Sequence, residues 1–257
     1  MIQGVWAHNE EIQGDYKYPE NFYNGYDKSM TTEWCPSDSE KQYLKNLKRT
    51  RSRNDLEKYG WIDKKITYSF NSHGFRSEEF DFDENESILF FGCSYTVGIG
   101  LPNENIWPYI VSKNLNLKCF NLGVGGWSLD AMYRLAKYWI PKFKSKLVIV
   151  LEPPGPRYET FCDTFYNRSF DTSDKYANER IGRLRYVIPY NHEIHLDKTY
   201  SAIENICNKT DKKFIGLRTS IWVSSKDLAR DLMHPGIGCH SKTAEKITDV
   251  VINTLKD

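Results

Sequence analysis

The chain has 257 residues, which at roughly 150 residues per domain allows one to two domains and a sizeable buried core. A hydrophobic content of 40%, together with 16 glycines, lies in the globular range and excludes wholesale disorder. Thirty-five Lys and Arg against 34 Asp and Glu leave a net charge of +1, so no whole-chain field points to nucleic acid or an anionic membrane as partner.

Residues 1–86 lack a sustained helical or strand period and are rich in Tyr, Trp, Asn and Pro, among them Tyr16, Tyr18, Pro19, Tyr23, Tyr26 and Trp34. They read as an irregular extension packed on a core, not as an independent domain. Ser37-Asp38-Ser39-Glu40, followed by Tyr43, Leu44 and Leu47, predicts a short capped helix within it. Residues 41–65 carry nine basic and three acidic residues, and residues 77–86 carry six acidic and no basic ones. These are expected to be solvated segments that face each other rather than a nucleic-acid surface.

From residue 87 the pattern changes to short apolar runs alternating with amphipathic stretches, the signature of βα units around a parallel sheet. Strands are expected at residues 87–92, 118–122 and 146–151, with helices at 105–115 and 129–143. Residues 152–181 read as an irregular excursion above the strand ends. A helix over 192–207, a strand near 214–217 and a final helix near 243–255 complete an α/β domain spanning 87–257.

No apolar run approaches the roughly 18 residues of a membrane span, and residues 1–10 show no secretory signal. The expectation is a soluble, cytoplasmic protein. The six cysteines, Cys35, Cys93, Cys119, Cys162, Cys207 and Cys239, form no CxxC pair and are expected to be reduced and mostly buried. His192 and His195 are spaced as a metal pair on a helix, but without a clear third ligand they read as ordinary surface residues. No metal and no cofactor is expected.

Three segments carry candidate chemistry. Gly92-Cys93-Ser94 directly follows the first strand, so Ser94 stands at the carboxyl edge of the sheet, either as a helix N-cap or as an exposed nucleophile. Asn121-Leu122-Gly123-Val124-Gly125-Gly126 follows the second strand. It is either a plain strand-to-helix turn or a loop whose N–H groups line a concavity for an oxyanion. Its spacing is not GxGxxG, which speaks against a dinucleotide site. Asp231-Leu232-Met233-His234-Pro235-Gly236 precedes the last helix, where Asp231 can hold one imidazole nitrogen of His234 while the other faces a serine.

Taken together these blocks resemble the SGNH, or GDSL-like, hydrolase superfamily. Gly92-Cys93-Ser94 is similar to the family's nucleophile block, with Cys for the usual Asp; Gly126 matches the oxyanion glycine, and Asp231 and His234 match the closing DxxH block. Asn71-Ser72-His73-Gly74-Phe75-Arg76 resembles the N-x-x-G-F-R segment of some relatives. The resemblance implies a flavodoxin-like three-layer α/β/α sandwich with a central, mostly parallel sheet. It also implies an esterase or deacylase with a Ser94–His234–Asp231 triad and an oxyanion hole built from the N–H groups of Ser94 and Gly126. The implied substrate is a small-molecule or glycan ester, with short acyl esters of carbohydrate as a candidate class.

The chain departs from the family at the third block. After the third strand it reads Leu151-Glu152-Pro153-Pro154-Gly155-Pro156-Arg157, with no asparagine to donate to the oxyanion. Arg157 is a candidate substitute donor, a substrate-carboxylate ligand or a surface residue. The missing asparagine keeps a catalytically weak binding module as the alternative, and acyl transfer to a hydroxyl acceptor would use the same triad. Trp107, Trp127, Tyr158 and Trp222 are candidates for a sugar platform or for core packing.

Overall fold

The structure, a computed structural model, describes residues 25–155, 157–160, 168–171 and 189–256. In chain order its elements are β1 (Thr31–Thr32), α1 (Glu40–Leu47), α2 (Thr50–Lys58), β2 (Tyr68–Ser69) and β3 (Ser87–Phe91). There follow α3 (Ser94–Val97), α4 (Trp107–Leu115), β4 (Lys118–Asn121), α5 (Leu129–Trp139) and β5 (Leu147–Leu151). The chain closes with β6 (Arg157–Thr160), β7 (Arg168–Asp171), α6 (Pro189–Lys209), β8 (Lys213–Leu217) and α7 (Ile237–Lys256).

Every residue of β3 and β5 is buried, as continuous apolar strands of a sheet covered on both faces must be. They form the centre of a four-stranded sheet in the order β4-β3-β5-β8, all parallel. Alternate side chains point to opposite layers. Ile88, Phe90, Leu147 and Ile149 pack with Trp107 and Val111 of α4 and Ala244, Ile247 and Val251 of α7. Leu89, Phe91, Val148 and Val150 pack with Met132 and Leu135 of α5 and Leu196 and Ile203 of α6. The result is a three-layer α/β/α sandwich. Because the chain leaves β3 toward β4 on one side and resumes at β5 on the other, the carboxyl ends of β3 and β5 flank a topological switch point, where such sheets open a crevice.

Local chemistry explains the helix limits. Ser39 caps α1, its hydroxyl accepting from Gln42 N at 3.3 Å, and Ser128 caps α5 through Ala131 N at 3.3 Å. The second expected helix begins at Trp107, because residues 103–105 form a separate 3-10 turn. The third ends at Trp139, where Pro141 enters a 3-10 turn and cannot donate to a continuing helix. The last helix starts at Ile237, six residues ahead of the expected position. Asp227 supplies its cap from outside the segment, accepting from Gly238 N at 2.7 Å and Cys239 N at 3.2 Å.

Four other expectations are corrected. Part of the stretch read as irregular, 152–181, forms the antiparallel hairpin β6–β7. The extension contains a second helix, α2, which the sequence hid because Leu56 is its one buried residue. Its charged segments do not pair with each other among the described residues: Lys65 meets Glu33 at 3.1 Å and Asp83 meets Lys144 at 2.7 Å. Leu56, Trp61, Ile66, Tyr68 and Phe70 of the extension share one apolar cluster with Val97, Ile99, Leu101, Ile106 and Ala229. Trp107 is fully buried in the core, so it belongs to no sugar platform. Cys35, Cys93, Cys119, Cys207 and Cys239 are free and buried, whereas Cys162 lies outside the described residues. No helix among the described residues is long and apolar enough to cross a membrane.

Candidate active site

At the carboxyl end of β3 the backbone turns into α3 through Gly92 and Cys93, leaving Ser94 as the first helical residue, 8% exposed. Glycine is needed at position 92 because α3 packs so close that a Cβ there would collide with the Thr96 side chain. The adjoining β4 loop is clamped to the same helix by Asn121. Its amide donates to Thr96 O at 2.8 Å and its oxygen accepts from Gly123 N at 3.0 Å. The next N–H groups are also engaged, Val124 N to Gly92 O at 3.0 Å and Gly125 N to the Tyr26 hydroxyl at 3.0 Å. Gly126, at φ +78°, a left-handed conformation that favours glycine, breaks the series. Among the described residues the N–H groups of Ser94 and Gly126 donate to no protein acceptor.

The Asp231–His234 loop is closed by Ala229 N donating to His234 O at 2.9 Å and by Leu232 in a left-handed conformation at φ 58°. Asp231 Oδ1 accepts from the N–H groups of Met233 and His234, both at 3.0 Å, and Oδ2 meets His234 Nδ1 at 2.5 Å. Burial pushes the Asp231 carboxyl up, but the hydrogen bonds and charge of His234, with the Met233 N–H, outweigh it and hold it below the usual carboxylate range. The carboxylate therefore stays ionised and holds the imidazole through Nδ1, and no hydrogen bond to Nε2 occurs among the described residues. Tyr95 packs edge-on against the His234 ring at 5.7 Å and against Trp222 at 5.1 Å.

Ser94, His234, Gly126, Trp127, Arg157 and Tyr26 line one cavity of about 490 Å³. No hydrogen bond joins Ser94 to His234 in this arrangement, among the described residues. Arg157 enters on β6, and its Nη1 is buried with no hydrogen-bond partner. Of the other aromatic candidates, Trp222 lines a neighbouring, largely apolar cavity of about 470 Å³ with Tyr95, Met233 and Pro235, and the side chain of Tyr158 lies outside the described residues. No group of three or more His, Cys, Asp or Glu suited to a metal ion occurs among the described residues.

Sequence reasoning missed three contributors. Tyr26, counted only as one aromatic of the extension, holds the Gly125 N–H. Glu152, at the end of β5, is consumed structurally: it accepts from Thr219 N at 2.9 Å and contacts His192 Nε2 at 2.5 Å. Burial raises its carboxyl while His192 and the Thr219 N–H lower it, with a net depression. His192 is therefore a partly buried partner of Glu152, and His195 of Asp130 at 2.8 Å, so neither is the ordinary surface residue expected from sequence. The third contributor is the Asp38–Arg230 pair, which anchors the residue preceding Asp231 to the extension at 2.8 Å. The signal for Tyr26 and Asp38 is long-range and leaves no local spacing.

No protein-family model matches the chain, and no curated protein does. Solved structures similar to it include GDSL-type lipolytic enzymes and carbohydrate esterases. One, assigned to the G-D-S-L lipolytic family, comes from Desulfitobacterium hafniense. It is 13% identical, with 65% of this chain and 99% of that chain covered and a TM-score of 0.37. The psychrotrophic esterase EstA of Pseudoalteromonas sp. is 12% identical over 67% of this chain and all of its own, with a TM-score of 0.39. A family two carbohydrate esterase of Clostridium thermocellum is 17% identical over 69% of this chain and 66% of its own, with a TM-score of 0.40.

Proposed function

We propose that the protein is a serine ester hydrolase of the SGNH/GDSL type, with Ser94 as nucleophile, His234 as general base and Asp231 as the group that orients the imidazole. The observation that carries this reading is the Asp231–His234 bond, which occupies Nδ1 and leaves Nε2 as the open nitrogen of a residue lining the same cavity as Ser94, where two N–H groups have no protein acceptor among the described residues. In this reading Ser94 Oγ attacks the ester carbonyl while His234 Nε2 takes its proton. The N–H groups of Ser94 and Gly126 receive the oxyanion as the carbonyl π bond opens. Collapse of the intermediate expels the alcohol, which takes the proton from His234. Water, deprotonated by the same imidazole, then attacks the acyl group and releases the acid and Ser94.

Small-molecule and glycan esters, including short acyl esters of carbohydrate, are the proposed substrate class. The test is hydrolysis of short-chain p-nitrophenyl esters, with fluorophosphonate labelling as a second readout. Ser94→Ala is expected to lower turnover by at least about 10⁴-fold and to abolish labelling. Turnover and labelling that survive Ser94→Ala, or a wild type that shows neither, overturn the proposal.

A further inference from the structure

Among the described residues lining the cavity, Arg157 carries a charge that the proposed hydrolytic steps do not use. Gly155 follows β5 at φ +75°, and β6 begins at Arg157, whose side chain lines the cavity shared by Ser94 and His234. Its Nη1 is buried without a hydrogen-bond partner among the described residues. The described residues that line the cavity include no Asp or Glu to neutralise it. Asp231, the acidic group bonded to His234, has both oxygens occupied by the His234 ring and the two loop N–H groups. A guanidinium donor removed from water with no acceptor is unfavourable in the empty protein. The planar fork of Arg is matched to carboxylate and phosphate, which accept two parallel hydrogen bonds from it.

An oxyanion role is the competing use of this cation. The N–H groups of Ser94 and Gly126 already supply two donors, and a small oxyanion engages a single donor direction of the fork. We therefore propose that Arg157 is a specificity residue: the ester taken by this site carries an anionic group, carboxylate or phosphate, apart from the reacting carbonyl, and Arg157 binds it inside the cavity. This deepens, and rests on, the reading of Ser94 as the nucleophile of an ester hydrolase. The cavity volume of about 490 Å³ falls in the range of small-molecule sites and accommodates an acylated monosaccharide.

The test compares acetate release from mono-O-acetylated glucose, glucuronic acid and glucose 6-phosphate, which share a ring and differ in the charge at one end. The wild type is expected to show a kcat/KM about 10- to 100-fold higher for one or both anionic esters than for the neutral one. Which anionic ester is favoured separates carboxylate from phosphate as the group bound. In Arg157→Gln the ratio of anionic to neutral kcat/KM should fall toward one, chiefly through KM, and Arg157→Lys should restore part of it.

A wild-type ratio of one, or a ratio unchanged in Arg157→Gln, overturns the proposal. So does an equal loss on all three esters, which identifies an oxyanion donor instead. Failure of the hydrolase reading is distinguished by Ser94→Ala: if acetate release survives it, or the wild type releases none, that reading has failed. Calorimetric titration of Ser94→Ala protein with glucuronate, glucose 6-phosphate and glucose then still decides the matter. Tighter binding of an anion, lost in Ser94→Ala/Arg157→Gln, supports the proposal, and equal or undetectable binding of all three overturns it.

Discussion

His240 lies fully buried on α7, one turn beyond the loop that carries His234, and its Nδ1 accepts from Trp107 N at 3.1 Å. Burial, reinforced by the nearby His234 and Arg76 charges, holds its pKa down to about 3 against an ordinary value near 6.5. The unfolded chain therefore takes up this proton as pH falls below about 6.5, while the folded chain resists until about 3. The stability contribution is complete above about 6.5 and is lost as pH falls through that window. Asp231 adds a loss of the same sign at lower pH, because its carboxyl is held below the usual range. The urea midpoint should drop on acidification from pH 7 to 4, and His240→Gln, which can still accept from Trp107 N, should flatten that slope. An identical slope in the variant would contradict the assignment.

Between elements, described residues of the extension brace the site through Tyr26 and through Asp38. Tyr26 accepts from Gly125 N, next to the Gly126 N–H proposed for the oxyanion hole. Tyr26→Phe leaves that N–H without its partner and the glycine loop without its stay. We expect kcat on p-nitrophenyl esters to fall about 10-fold, less than the 10²- to 10³-fold of losing a donor outright, with KM little changed; an unaltered kcat would remove Tyr26 from the positioning role. The second point is Asp38, which accepts from Arg230 and, at 2.6 Å, from the Tyr68 hydroxyl. Tyr68 in turn accepts from Gly100 N at 2.7 Å. This network links the segment after α3 to the residue before Asp231. Asp38 and Arg230 are 1% and 2% exposed, so Asp38→Asn strands a buried guanidinium. The expected cost is about 3–5 kcal/mol, read by urea denaturation. A change below about 1 kcal/mol would show that the pair carries little.

Across the whole molecule, the extension and the α/β sandwich share a hydrophobic cluster, with Trp61, Ile66 and Phe70 from one and Ile99, Leu101 and Ile106 from the other. We propose that residues 25–86 are part of one cooperative unit with the sandwich. A chain beginning at Ser87 exposes the second group of side chains to water and loses the Arg76 side chain, which donates to Gly98 O and Leu101 O, both at 2.7 Å. It should bind a hydrophobic dye and lack the sharp unfolding transition of the full chain. A transition matching that of the full chain would make the extension a dispensable appendage.

The strands of the central sheet were legible in the chain. The continuous apolar runs of β3 and β5 can be satisfied only by a strand covered on both faces, and the amphipathic stretches between them supply the cover. The sequence also offered Ser94, Gly126, Asp231 and His234 as candidates, through short blocks that resemble those of the SGNH hydrolases. That Asp227 starts the last helix, that Glu152 is spent on Thr219 and His192, and that Tyr26 and Asp38 brace the loops around the cavity emerges only when the chain is folded. Folding likewise brings Arg157 into the cavity of Ser94 and His234. Those contacts join positions from eleven to nearly two hundred residues apart, and a hydrogen bond across such a separation leaves no periodicity in the chain that makes it.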